Sequence, residues 1–90
     1  MIMYVWILTH VEDEEIYAQK AYGSKEKAYN ALVAIVAEQL QYESTQTEWA
    51  DKPYIDSVMA EIERKYAKNP DDIKVLSMYA EYTVKKVELE

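Results

Sequence analysis

The chain offers one histidine (His10), no cysteine and one glycine (Gly23), set against seventeen acidic residues. That inventory bounds the chemistry within reach. Without cysteine there is no disulfide, no thiolate nucleophile and no thiolate ligand for zinc or an iron–sulfur cluster. A single imidazole leaves no second histidine for a two-imidazole metal site. It makes His10 the sole candidate for a histidine general base, although a lone histidine at a strand end before a turn is ordinarily structural. One glycine builds neither a phosphate-cradling loop nor a dinucleotide fingerprint, which argues against ATP-dependent chemistry. Carboxylate pairs such as Glu61 and Glu63, or Asp71 and Asp72, are what chance supplies among seventeen acids. A glycosidase would need two of them across a sugar cleft, about 5 to 10 Å apart. The expectation is a protein that is not an enzyme and holds neither metal nor cofactor.

The residues that stand out are acidic and aromatic. Glu12-Asp13-Glu14-Glu15 is an unbroken acidic run that lacks the alternate-residue spacing and turn glycine of a calcium loop. It reads as a solvated hairpin tip or as an acidic knob for a partner. A second acidic region, Glu43, Glu48, Asp51 and Asp56, surrounds Trp49 in a polar stretch. A tryptophan there either pins the loop to the core or serves as a binding anchor. Residues 1–20 and 41–60 each carry a net −3, whereas 21–40 are balanced. If the fold places both acidic regions on one side, Glu12, Asp13, Glu14, Glu15, Glu43, Glu48, Trp49 and Asp51 form a partner-binding surface with an aromatic anchor and a charged rim. Tyr42, Tyr54 and Tyr79 are further candidates for contact surfaces.

Ninety residues, half of them apolar and 30% charged, predict a single domain spanning residues 1–90 with a modest core. The formal net charge of −7 argues against direct binding of nucleic acid or an anionic membrane, because phosphate binding relies on Lys and Arg to displace counterions. The apolar run Tyr4-Val5-Trp6-Ile7-Leu8 falls far short of the roughly 20 residues of a membrane span. It also lacks the basic flank and cleavage site of a signal peptide. A cytoplasmic protein is expected.

The elements that would position these residues follow from periodicity. Met3 to His10 is rich in β-branched and aromatic residues and apolar on both parities, as a central strand covered on both faces would be. Ile16 to Tyr22 alternates, so a hairpin is expected, closed by a loop of three to five residues because no Asn-Gly or Asp-Gly is present. Ser24 is a plausible N-cap for a helix from about Lys25 to Gln41. On that helix Ala28, Tyr29, Ala31, Leu32, Val33, Ile35, Val36, Leu40 and Tyr42 fall in one arc of about 200° at the α-helical period. So wide an arc suggests self-association through Tyr29, Val33, Val36 and Leu40, with a homodimer as the simplest outcome. Glu43 to Lys52 reads as a loop. A second helix opens at Asp51 or Lys52, ahead of Pro53, with a one-sided stripe of Ile55, Val58, Met59, Ile62 and Tyr66. Asn69-Pro70-Asp71-Asp72 suits another helix start, predicting a short helix to about Ala80 and then a strand from Tyr82 to Leu89. The fold class is therefore α+β: a three-stranded antiparallel sheet in the order 2-1-3, with the first strand central and two or three helices on one face.

The hairpin ending Ala21-Tyr22-Gly23, the helix start Ser24-Lys25-Glu26-Lys27-Ala28 and the closing Tyr82-Thr83-Val84-Lys85-Lys86-Val87-Glu88-Leu89 resemble an uncharacterised group of short phage and bacterial proteins. The resemblance covers the first third and the last tenth of the chain. It implies a phage or prophage setting, hence the cytoplasm of a bacterial host, and supplies no catalytic residue. Within that setting the charge suggests a non-catalytic inhibitor of a basic, nucleic-acid-binding host protein, such as an anti-CRISPR or other anti-defence protein. The alternative is a small-molecule sequestering or ligand-sensing protein acting through a dimer cleft.

Overall fold

The structure, a computed structural model, describes residues 2–89. Six elements follow in the order β1 (Met3–Glu12), β2 (Glu15–Tyr22), α1 (Lys25–Gln46), α2 (Lys52–Lys68), β3 (Asp72–Leu76) and β4 (Glu81–Leu89). The strands form one antiparallel sheet in the order β2-β1-β4-β3. β1 lies between its hairpin partner and the C-terminal strand, as the order 2-1-3 required. The sheet nevertheless has four strands rather than three, because residues 72–76, expected to start a helix, form the edge strand β3.

Turn chemistry explains that difference. Asn69 caps the C-terminus of α2 through its amide on the Lys65 carbonyl, and its side chain accepts the amide of Asp71 at 3.1 Å. Asn-Pro is as good a turn signal as a helix start. Ile73 and Val75 are buried while Asp72, Lys74 and Leu76 are exposed, which is the alternation of a half-covered strand. The four residues Ser77 to Ala80 then form the loop of a β3–β4 hairpin closed at the pair Leu76 and Glu81.

Register places both helices on one face. Leu8 pairs with Val84 and Val84 with Ile73, while His10 pairs with Tyr82 and Tyr82 with Val75. All six are buried, and they pack with Ala28, Leu32, Val36 and Leu40 of α1 and Val58 and Ile62 of α2. On the other parity Val5, Ile7, Thr9 and Val11 of β1 are only half-buried, and Met3 and Leu89 are exposed. That face is uncovered among the described residues, so the double-sided apolarity of β1 reflects its central place between strands rather than two helical layers. The shortest extent of the Cα trace, 16 Å, accommodates one sheet and one helical layer.

Both helix starts behave as their sequences require. Ser24 Oγ accepts the Lys27 amide at 3.1 Å, and Asp51 accepts the Tyr54 amide at 3.1 Å with Pro53 in the first turn, so each cap satisfies an otherwise orphaned donor. α1 runs to Gln46, five residues beyond the expected end, which leaves only residues 47–51 as the interhelical loop.

Candidate functional site

Topology gathers three turns at one end of the molecule. β1 and α1 run towards that end and β2 and α2 run back from it. The β1–β2 turn, the α1–α2 loop and the β3–β4 loop therefore meet there. A cavity of about 390 Å³ is lined by Glu12 and Asp13 of the first turn, Tyr42 and Gln46 of α1, and Met78 and Tyr79 of the β3–β4 loop. Segments 11–16, 38–51 and 76–81 together contain nine of the seventeen acidic residues and none of the ten basic ones. Lys52 and Lys74, next in sequence to these segments, pair with Asp56 at 2.6 Å and with Glu81 at 3.1 Å.

The hairpin tip differs from the expected loose loop. Glu12 pairs with Glu15, so the turn has only two residues, and Asp13 and Glu14 adopt φ of 50° and 65°. Two consecutive positive φ values define the turn type that matches strand twist and ordinarily selects Asn-Gly. Asp tolerates the left-handed region, but Glu there costs about 1–2 kcal/mol. Glu12 and Glu15 are also like charges directly opposite one another, an unfavourable cross-strand pair. The acidic tip is thus held at a local cost in stability.

A second cleft, of about 520 Å³, lies between the sheet and α1 within a single chain, so no second copy is needed to form it. Ile35, Glu38, Gln39 and Tyr42 make its helical wall, spaced i, i+3, i+4 and i+7 on one face. His10 and Glu12, two residues apart on β1, face the same way, and His10 Nε2 lies 3.2 Å from Glu12 Oε1. Tyr17 completes the lining because of a β-bulge: His10 pairs with Ala18 but Val11 pairs with Ile16, leaving Tyr17 as the extra residue. Its ring lies 4.9 Å from that of His10, and re-aiming a side chain in this way is a recurrent use of bulges. His10 is 4% exposed, stacks at 4.5 Å on Tyr82, and its Nδ1 has no protein hydrogen-bond partner. Two carboxylates, two phenols and an imidazole suit binding of a cation. No serine, lysine or arginine lines the cleft.

The remaining surface residues expected from sequence divide by role. Glu43 is a correction: it is completely buried, because α1 continues past it. Its carboxylate accepts hydrogen bonds from Ser77 Oγ (2.6 Å), Tyr54 Oη (2.8 Å), Gln39 Nε2 (3.0 Å) and the Tyr79 amide (3.3 Å). Burial alone would push this carboxyl up, but the hydrogen bonds from Ser77, Gln39, Tyr54 and Tyr79 outweigh it and hold Glu43 below the usual carboxylate range. Tyr54, also a candidate contact residue, belongs to this network, and burial together with its bond to Glu43 pushes its hydroxyl up to about 12. Asp51 is exposed but serves as the cap of α2. Trp49 is 73% exposed, and the loop is anchored instead by Ala50, which is buried. Glu48 is exposed beside it. Glu48, Trp49 and Asp51 leave from the acidic end but line neither cavity.

The self-association residues are likewise reassigned. Val36 and Leu40 are buried in the core, Val33 packs against it, and Tyr29 stacks on Tyr66 of α2 at 4.0 Å. The sheet and α2 cover the arc except at Tyr42, which remains 55% exposed. Tyr17, Ile35, Glu38 and Gln39 are the cleft residues that sequence reasoning missed. The helical spacing from Ile35 to Tyr42 was a usable signal, whereas the bulge at Tyr17 left none.

Among the described residues no helix is long and apolar enough to cross a membrane, and no three His, Asp or Glu side chains are grouped as a metal site. No family model, curated protein or solved structure matches the chain.

Proposed function

We propose that this protein is a non-catalytic inhibitor that binds a basic, nucleic-acid-binding protein through its acidic end, in the phage or prophage setting that the sequence resemblance implies. The observation that carries this reading is the segregation of charge. Nine acids, all but Glu43 at least partly exposed, and no base occupy the three segments that meet at one end, and exposed Tyr17, Tyr42, Trp49, Met78 and Tyr79 lie in or beside them. Carboxylates on a small rigid domain mimic the phosphates that such a partner's channel is built to receive, and complementary potentials also speed encounter. The strained, like-charged hairpin tip supports the same reading, since strain kept at a surface position tends to accompany function. Exposed aromatic side chains set within charge supply the short-range contacts that hold an encounter complex.

The test is capture of basic proteins from a bacterial lysate on the immobilised protein, followed by competition with duplex DNA. Proteins displaced by DNA, eluted by salt and lost on combined Glu12→Lys, Asp13→Lys and Glu14→Lys substitution would support the reading. Equal capture by this variant, with loss instead on Lys25→Glu and Lys27→Glu substitution at the opposite end, would overturn it.

A further inference from the structure

The cleft between β1, β2 and α1 has a recognition chemistry more specific than overall charge. Glu12 from the strand and Glu38 from the helix face one space. Among the described residues neither is paired with a lysine or arginine, the one partner of Glu12 being His10. Tyr17 and Tyr42 flank them and are 72% and 55% exposed, so their rings are accessible from the mouth. Behind them lies the His10 ring, with its buried Nδ1 unpartnered. With Nε2 donating to Glu12, Nδ1 of a neutral imidazole is an acceptor.

We infer that this cleft seats an arginine side chain of the basic partner, an inference that rests on the acidic-end reading above. A guanidinium is planar, so it stacks on tyrosine rings while its fork of donors reaches carboxylates on two walls. A lysine ammonium is a compact, strongly hydrated point charge that uses neither the rings nor the second carboxylate as well. A volume of about 520 Å³ lies in the range of sites that enclose small ligands, enough for a whole side chain.

The probe is N-acetyl-L-arginine amide, titrated into isotopically labelled protein and followed by amide chemical shifts, with the N-acetyl amides of lysine and of uncharged citrulline as controls. Saturable shifts confined to residues 10–17 and 35–42 are expected for arginine, at least threefold weaker binding for lysine, and none for citrulline. Glu38→Gln, at an exposed helical position, is expected to weaken arginine binding about tenfold with the rest of the spectrum unchanged. No saturable shift, or equal shifts from citrulline, would overturn the inference. Partner binding separates this inference from the reading beneath it. Sensitivity to Asp13→Lys and Glu14→Lys but not to Glu38→Gln or Tyr42→Ala would overturn the cleft assignment and leave the acidic end standing. Insensitivity to all four would overturn both. Arginine amide that binds while partner binding ignores Glu38→Gln would make the cleft a site for a free guanidinium compound, overturning its assignment to a protein side chain.

Discussion

The hydroxyl of Tyr54 donates to the Glu43 carboxylate at 2.8 Å and accepts the amide of Met78 at 2.7 Å, so one side chain ties the start of α2 to the last turns of α1 and to the β3–β4 loop. Ser77 and Tyr79 of that loop bond Glu43 directly. Ser77 to Ala80 contains no glycine, proline, asparagine or aspartate, the stronger turn formers, and among the weaker ones only Ser77. A buried carboxylate from a helix takes their place, shaping the loop whose Met78 and Tyr79 stand at the acidic end.

Glu43→Gln is therefore expected to destabilise the fold, by about 1–3 kcal/mol, since donors shaped around a carboxylate are left poorly matched. The folded carboxyl titrates below its ordinary value near 4.5, so its stabilisation is complete above that value and is lost as pH falls through the lower folded pKa. Urea titrations across pH should show the wild-type advantage over Glu43→Gln constant near neutrality and shrinking in acid. A gap that persists unchanged at the lowest pH would show that shape, not charge, holds the loop.

Tyr54 acts at the other limb. Its hydroxyl is raised from 10 to about 12, and burial also raises buried Tyr82. Stability from a raised group is fully present below the unfolded pKa and is lost as pH rises through the folded one. Unfolding is thus expected to become easier from about pH 10 upwards. Tyr54→Phe should cost about 1 kcal/mol at neutral pH, the net worth of a typical hydrogen bond, and should flatten the alkaline limb. Amide exchange at Met78 should accelerate in the same variant.

How much of this was legible in sequence depends on where the signal was local. Ser24 and Asp51 announced both helices because capping is a short-range bond between neighbours. The central place of β1 followed from its apolarity. β3 was obscured because the buried parity changes across the β3–β4 loop, from Ile73 and Val75 to Ala80, Tyr82 and Val84, so no single alternation runs through the segment. The residue that makes that loop possible, Glu43, is about 34 positions away in sequence, as its bond to Ser77 records. A polar, acidic residue near the end of an amphipathic helix reads as surface unless its distant partners are known. Tyr17 was hidden for a similar reason: strict alternation puts it on the open face, and only the bulge turns it to His10.

The hairpin tip should show a trade between stability and binding. Replacing Asp13 and Glu14 by Asn and Gly suits both positive φ values and removes two like charges. The double variant is expected to gain about 1–2 kcal/mol, the cost of a non-glycine residue in the left-handed region, raising Tm by some 4–8 °C per kcal/mol for a domain of this size. The same variant should bind the basic partner more weakly. A variant that is neither more stable nor weaker in binding would show that the strain at Asp13 and Glu14 has no functional counterpart.

Leu40 and Trp49 should part company in denaturation. Leu40→Ala empties a core position that is 1% exposed and is expected to cost about 2–5 kcal/mol. Trp49→Ala removes a side chain that is 73% exposed and should stay within about 0.5 kcal/mol of wild type. A comparable loss for both in chemical denaturation would mean that Trp49 pins its loop after all.

The final expectation separates charge from contact in the kinetics of partner binding. Exposed charges act over about 8–10 Å at physiological ionic strength, so they steer approach before any side chain touches. Asp13 and Glu14 lie at the tip of the β1–β2 turn and are exposed, which lets their charges act before contact. Reversing these two to Lys should lower the association rate and its salt dependence, with a smaller change in dissociation. Trp49 lies in the loop leaving the same end, and an aromatic anchor is engaged only once the surfaces meet. Trp49→Ala should consequently raise the dissociation rate and leave association nearly unchanged. Surface plasmon resonance at two salt concentrations against the captured partner measures both rates. Association that is indifferent to salt and to this double reversal would mean that the acidic end does not guide binding. Dissociation unaltered by Trp49→Ala would place the short-range contacts elsewhere, with Tyr42 and Tyr79, 55% and 47% exposed, the next side chains to truncate.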